Sequence, residues 1–315
     1  MKRSIIACVA VCAAANLSAQ TSVWQPSPGH IQLPIWPDAP PGAPRSVGEE
    51  TATTTQSDHF VAGRSWTFIR NVSRPTLTVY SPRGNNTGAA VVVFPGGGYE
   101  ILAIDLEGSE VCDWLVSSGI TCILLKYRVP NNGPRWNQFC GCDTTTRSSM
   151  PLEDAQRTIS LVRARAAEWH IDPHKIGVLG FSAGGHLVAL VSTHYERRVY
   201  AAVDAADRQS SRPDFAVTLY PGHLYDYDKS EMNPDIHATA ATPPTFMLHA
   251  ENDNVDGPTN TLIYYTALKD AGVPVELHMY AEGRHAFGLR RTTFPITAWP
   301  QLVDTWLKTL GIIPN

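Results

Sequence analysis

Lys175-Ile176-Gly177-Val178-Leu179-Gly180-Phe181-Ser182-Ala183-Gly184-Gly185-His186-Leu187-Val188-Ala189-Leu190 is the stretch on which the reading of this chain turns. Lys175–Gly180 is short and apolar, as a strand is, and Ala183–Thr193 follows at once with the character of a helix. Between them lies Gly180-Phe181-Ser182-Ala183-Gly184, a Gly-x-Ser-x-Gly pentapeptide. A serine on so sharp a strand-to-helix turn has a strained backbone, and its neighbours two positions away must be small. Gly180 and Gly184 meet that demand. The turn also sets the Ser182 hydroxyl at a helix N-terminus, whose dipole favours developing negative charge. A plain glycine turn satisfies the spacing alone, whereas strand, turn and helix together point to a nucleophile.

Strand and helix patterns alternate on both sides of this segment. Strands are expected at Ser65–Val72, Thr76–Tyr80, Ala89–Phe94, Thr121–Tyr127, Phe215–Tyr220, Thr245–Ala250 and Val275–Tyr280. Val91-Val92-Val93 and Ile123-Leu124-Leu125 are continuous apolar runs, which suits strands covered on both faces. Helices are expected at Ser109–Ser117, Leu152–Glu168, Pro258–Ala271 and Trp299–Leu310. The fold class is therefore α/β, with a mostly parallel central sheet flanked by helices on both faces. Residues 20–58 begin rich in Pro and Gly and read as an extended N-terminal arm laid over the surface. No repeat or linker divides 20–315, which is expected to be a single catalytic domain. Pro130–Ser149 and Gly222–Thr242 interrupt the rhythm and are expected to be loops over a functional face.

Composition removes other classes. The 315 residues are 43% hydrophobic, too apolar for a disordered chain. Lys and Arg number 25 against 29 Asp and Glu, for a net charge of −4, which leaves no basic excess for nucleic acid. Met1-Lys2-Arg3, the apolar run Ile5–Ala15 and the small residues before Gln20 form a signal-peptide pattern, with cleavage near Ala19. That run is far shorter than the ~20 residues that span a bilayer, so residues 1–19 read as a leader and the protein as secreted or periplasmic. Export would place Cys112, Cys122, Cys140 and Cys142 in an oxidising compartment, where three pairings are open. Cys112 and Cys122 also fit as small buried apolar residues, and Cys140-Gly-Cys142 lacks redox or zinc spacing. No cluster shows metal-ligand spacing, nothing sets an oligomeric state, and no cofactor is called for.

A serine nucleophile needs oxyanion donors, a base and an acid that orients the base. Pro95-Gly96-Gly97-Gly98-Tyr99 follows the strand ending at Phe94; the expected donors are the amides of Ala183 and of Gly97 or Gly98, with Tyr99 lining the substrate pocket. The glycines lack the Lys-Ser/Thr ending and the spacing of a phosphate loop. In the order Ser, acid, His, the base is His285, in a loop past the strand Val275–Tyr280; His278, within that strand, reads as structural. The acid follows Thr245–Ala250, where Glu251, Asp253 and Asp256 are available: Asp253 is the first choice, Asp256 stands near a helix start, where a carboxylate often only caps, and Glu251 falls at the strand's last turn. His186 reads as a packed histidine, Asp105 and Glu107 as residues that tune or orient the glycine loop or cap a helix, and Asp154 with Arg157 as a surface or support pair one turn apart, worth little on its own.

These residues resemble the α/β-hydrolase superfamily. More narrowly, the chain is similar to secreted bacterial esterases grouped with acetyl xylan esterases and labelled xylanase-like or dienelactone-hydrolase-like. The likeness rests on Pro34-Ile35-Trp36-Pro37, Pro95–Tyr99, Asp105-Leu106-Glu107-Gly108, Leu125-Lys126-Tyr127-Arg128, Asp154-Ala155-Gln156-Arg157, Gly177–Leu187 and Arg284-His285-Ala286-Phe287-Gly288. It implies Ser182, Asp253 and His285 as triad, and Gly97, Gly98 and Ala183 as oxyanion donors. Pro95 departs from the His that precedes the glycines in hormone-sensitive-lipase-like esterases. Val129–Ser149 is long and polar for the family, and Gly222–Thr242 is short. The expected function is hydrolysis of short acyl esters, above all acetyl groups on plant polysaccharide such as xylan, through an acyl-enzyme. The rivals are a feruloyl or phthalate-type ester hydrolase, a serine peptidase, and a catalytically silent carbohydrate-binding module.

Overall fold

Among the described residues, eight segments form the central sheet: β1 (Gln32–Pro34), β2 (Thr76–Tyr80), β3 (Ala90–Phe94), β4 (Thr121–Lys126), β5 (Ile176–Phe181), β6 (Ala216–Leu219), β7 (Thr245–Ala250) and β8 (Val275–Tyr280). Their spatial order is β1-β2-β4-β3-β5-β6-β7-β8. The computed structural model describes residues 23–30, 32–42, 48–129, 136–137, 142–143 and 146–314. The leader reading of 1–19 and most of Pro130–Ser149, with Cys140, lie outside the described residues. β2 is antiparallel to β1 and β4, and every other pairing is parallel. Every residue of β3, β4, β5, β6 and β7 is buried, as the continuous apolar runs require.

Helices cover both faces: α1 (Glu110–Ser117), α2 (Thr146–Ala164), α3 (Ala183–Thr193), α4 (Thr259–Asp270) and α5 (Trp299–Thr309). Alternation along β6 separates the layers. Thr218 hydrogen-bonds the Gly185 carbonyl of α3, whereas Phe215, of opposite parity, meets Trp306 of α5. On that second face Trp114 of α1 packs edge-on against Trp299 with ring centroids 5.0 Å apart. Cys112 of α1 and Cys122 of β4 form a disulfide, Cα atoms 5.1 Å apart, which selects one of the open pairings.

Three differences from the sequence expectation have local causes. Thr67–Arg70 is a strand, but it joins Thr51–Thr54 and Ile101–Leu102 in a small separate sheet; only Ile69 within it is fully buried. Gln32–Pro34 is a strand at the edge of the main sheet, where a terminal proline costs no ladder bond. The next two residues, Ile35 and Trp36, are buried core rather than surface arm. α2 starts at Thr146, earlier than the expected Leu152, and stops at Ala164.

Asp154 and Arg157 of α2 are not each other's partners. Asp154 accepts hydrogen bonds from Trp36 Nε1 at 2.8 Å and Arg128 Nε at 2.9 Å, while Arg157 binds Asp204 and Asp207. The helix therefore fastens the N-terminal segment and the end of β4 through buried charges. Removing one partner of such a pair leaves the other charge stranded away from water. Asp154→Ala is expected to lower stability by about 3 kcal/mol in urea titration; a loss under ~1 kcal/mol, the worth of an exposed pair, would show that this junction is not stabilising.

Candidate active site

Because β3, β5, β6, β7 and β8 run parallel, the loops after their carboxyl ends gather on one edge of the sheet, where sites of α/β folds are built. Ser182 directly follows β5 with φ 51° and ψ −120°, a region that side-chain-bearing residues seldom enter. Its turn closes because Gly180 and Gly184 have no side chains. A Cβ on Gly180 would lie 2.1 Å from the Gly184 carbonyl oxygen, and one on Gly184 would lie 2.1 Å from the Phe94 carbonyl oxygen. Ser182 Oγ stands 3.0 Å from His285 Nε2. His285 Nδ1 stands 2.7 Å from Asp253 Oδ2. The structure thus brings together Ser182, His285 and Asp253, from the ends of three different strands.

Of the three acids in the loop after β7, Glu251, Asp253 and Asp256, Asp253 is the one on His285 Nδ1. Its Oδ1 accepts the backbone N–H groups of Val255 and Asp256 at 2.9 and 3.0 Å, which turns the carboxylate inward. His249, within β7, points Nε2 at Asp253 Oδ2 (3.3 Å) and at the Asp256 carbonyl (2.9 Å). Both neighbours are acceptors, so this nitrogen carries the proton. Asp256 does more than cap: its Oδ2 lies 3.3 Å from Ser182 Oγ and 3.7 Å from His285 Nε2.

The glycine loop runs beside the serine. A Cβ on Gly96 would stand 3.0 Å from that of Ser182, so only glycine admits this approach. The Gly96 carbonyl accepts from Ala103 N–H, and the Gly97 carbonyl from Glu100 and Ile101 N–H, each at 3.0 Å. In trans peptides the next amides, of Gly97 and Gly98, point the opposite way, away from those partners. Gly98, at φ 62°, has nothing within 4 Å of a would-be Cβ and borders open space. Ala183 opens α3, so its N–H has no intrahelical acceptor.

A family model described as the prolyl oligopeptidase family matches residues 144–310, over half of the chain and all three residues of the relay. The chain belongs to that family. Its fold is that of the α/β-hydrolases. Among curated proteins it is 30% identical over 250 residues to an acetylxylan esterase of Xylanibacter ruminicola, covering 72% of this chain and 45% of the relative. It is 23% identical over 240 residues to endo-1,4-beta-xylanase B of Butyrivibrio fibrisolvens, covering 70% of this chain and 36% of the relative. The chain thus spans less than half of either protein. Among solved structures, an acetyl ester-xyloside bifunctional hydrolase from Caldicellulosiruptor lactoaceticus superposes with a TM-score of 0.68 at 31% identity, covering 90% of this chain and 97% of that one.

In this member of the prolyl oligopeptidase family, two buried networks hold the site from behind. Glu107 Oε2 accepts the Gly96 N–H at 2.8 Å, and Oε1 accepts the Tyr220 hydroxyl at 2.8 Å. The Tyr220 oxygen in turn accepts the Gly288 N–H at 3.1 Å, and its ring lies edge-on to His285 at 4.9 Å. One carboxylate therefore ties the glycine loop to the histidine loop; of the alternatives read for Glu107, it orients the loop. Tyr99, expected to line the substrate pocket, is 5% exposed, with its hydroxyl 2.8 Å from His186 Nδ1. Its ring packs near those of Tyr127 and His223, with centroids 6.3 and 5.8 Å away. Sequence reasoning passed over Tyr220 and His249, whose only signal is their place at strand ends.

Burial pushes the Glu107 carboxyl pKa up, against the hydrogen bonds from Tyr220 and Gly96. Burial also opposes ionisation of Asp253, but hydrogen bonds from His249 and His285 overcome it and hold that carboxyl far below its usual range. For His285 burial disfavours the imidazolium, yet Asp253, Asp256 and Glu107 outweigh it, and the pKa ends above 6.5. Imidazole NMR of the folded protein should therefore find His285 titrating above 6.5, and Asp253→Asn should bring that midpoint down. A midpoint unmoved by the substitution would contradict the pairing.

Proposed function

We propose that this chain is a serine esterase acting on short acyl esters, with acetyl groups on plant polysaccharide as its substrate class. The observation that carries the proposal is the hydrogen-bonded relay Ser182–His285–Asp253, with spacings of 3.0 and 2.7 Å, at the mouth of the sheet. Ser182 Oγ attacks the ester carbonyl as His285 Nε2 takes its proton. Asp253, held ionised, fixes the Nδ1–H tautomer and stabilises the imidazolium. The amides of Ala183 and of Gly97 or Gly98 receive the oxyanion. His285 then hands the proton to the departing alcohol oxygen, leaving acetyl-Ser182. Water, deprotonated by the same nitrogen, releases acetate and restores the serine.

The names of the similar proteins support the substrate class. The low net charge suits a neutral ester, and export, read from the leader pattern, suits a polymeric substrate. Ser182→Ala is expected to lower kcat/KM for p-nitrophenyl acetate by roughly 10⁴-fold or more with the fold intact. Activity within tenfold of the wild type would refute the mechanism. Acetate release from acetylated xylan, beside methyl ferulate and a phthalate diester, tests the substrate; turnover of an aromatic ester in preference to the xylan would move it to the aromatic class. Since only neutral His285 accepts the serine proton, kcat/KM should climb with pH about a midpoint above 6.5 and fall away in acid. A profile flat through that range would exclude histidine as the base.

A further inference from the structure

Asp256 stands at the reaction centre outside the relay. Its N–H is held by Asp253 and its carbonyl by His249, the two residues that also meet at the acid of the relay. The backbone that orients His285 therefore also fixes where this second carboxylate points. Room for it comes from Gly222, where a Cβ would lie 2.4 Å from Oδ1 and 2.5 Å from Oδ2. Among the described residues, Ser182 Oγ is the only hydrogen-bond donor to this carboxylate; His285 Nε2, at 3.7 Å, lies beyond hydrogen-bond range and attracts it only by charge when protonated. The side chain is 20% exposed and so open to a ligand. Tyr227, 60% exposed, brings its hydroxyl to 2.6 Å from where a Gly257 Cβ would stand, placing an aromatic ring near the same rim.

We propose that Asp256 is the acceptor of an alcohol subsite, selecting esters whose leaving alcohol carries a free hydroxyl beside the ester oxygen. This rests on the esterase reading above. To be protonated, the leaving oxygen must come within hydrogen-bond range of His285 Nε2, and Asp256 Oδ2 lies 3.7 Å from that nitrogen. A hydroxyl on the adjacent carbon thus falls within reach of Asp256. In the free site the Ser182 proton has two acceptors, His285 at 3.0 Å and Asp256 at 3.3 Å. A substrate hydroxyl that donates to Asp256 leaves the serine proton to His285 alone, the geometry needed for attack. After acylation Ser182 has no proton to give, and the substrate hydroxyl keeps the carboxylate satisfied. An alcohol without that hydroxyl leaves the carboxylate short of a donor, and an anionic alcohol is repelled.

The test compares trans-2-acetoxycyclohexanol with cyclohexyl acetate, which differ by one vicinal hydroxyl. For the wild type the ratio of kcat/KM values, corrected for the ratio of uncatalysed alkaline hydrolysis, should be about tenfold or more in favour of the hydroxy ester. Asp256→Ala should bring the corrected ratio near one. Asp256→Asn, whose amide oxygen still accepts, should retain part of it. A wild-type ratio near one, or an Asp256→Ala protein that keeps the wild-type ratio even if both rates fall, would overturn the subsite. Hydrolysis of both esters that persists in Ser182→Ala would instead overturn the esterase reading.

Discussion

The approach of two backbones with no side chain between them governs this structure. The end of β5 and the start of α3 meet at Gly180 and Gly184, and α3 in turn presses on the end of β3 at Phe94. That contact sets Ser182 at φ 51°, a conformation whose strain of order 1–3 kcal/mol persists only because the surrounding sheet over-determines it. β3 and β5 are fully buried neighbours in parallel register, so the turn is anchored where the sheet yields least. The glycine loop leaves β3 and the serine leaves β5. Their adjacency follows from strand order, before any side-chain chemistry is considered.

Charge is arranged around that turn by environment. Asp253 and Glu107 are both carboxyls near His285, and they are driven in opposite directions. Asp253 collects N–H donors and stays ionised, whereas Glu107, enclosed behind the glycine loop, has its pKa raised by burial. The first can balance an imidazolium; the second links two loops through Gly96 and Tyr220. The same histidine thus meets one carboxyl by a direct hydrogen bond and feels the other at a distance, from behind the glycine loop.

Much of this was legible in the sequence because its determinants are local. Val91–Val93 and Ile123–Leu125 announce strands buried on both faces, and β3, β4 and β5 are buried throughout. The glycines around Ser182 announce the turn, and loop positions after strands point to Asp253 and His285. What stayed hidden depends on distant partners. Asp154 meets Trp36 across 118 residues of chain, so spacing along one helix suggested the wrong mate. β1 is three residues ending in proline, too short to carry a period. Asp253 and Asp256 share one turn, and the chain's path through it decides which meets Nδ1 and which meets the serine. Tyr99 is buried with its hydroxyl on His186, a partner 87 residues away that no local pattern encodes.

The central claim is that Ser182 is a nucleophile activated by this geometry. It is tested most directly by treating the intact protein with a fluorophosphonate and locating the adduct by peptide mass spectrometry. The account predicts one adduct, on Ser182, formed rapidly in the wild type and slowed by orders of magnitude in His285→Ala. An unmodified Ser182, or labelling that proceeds equally well without His285, would contradict it.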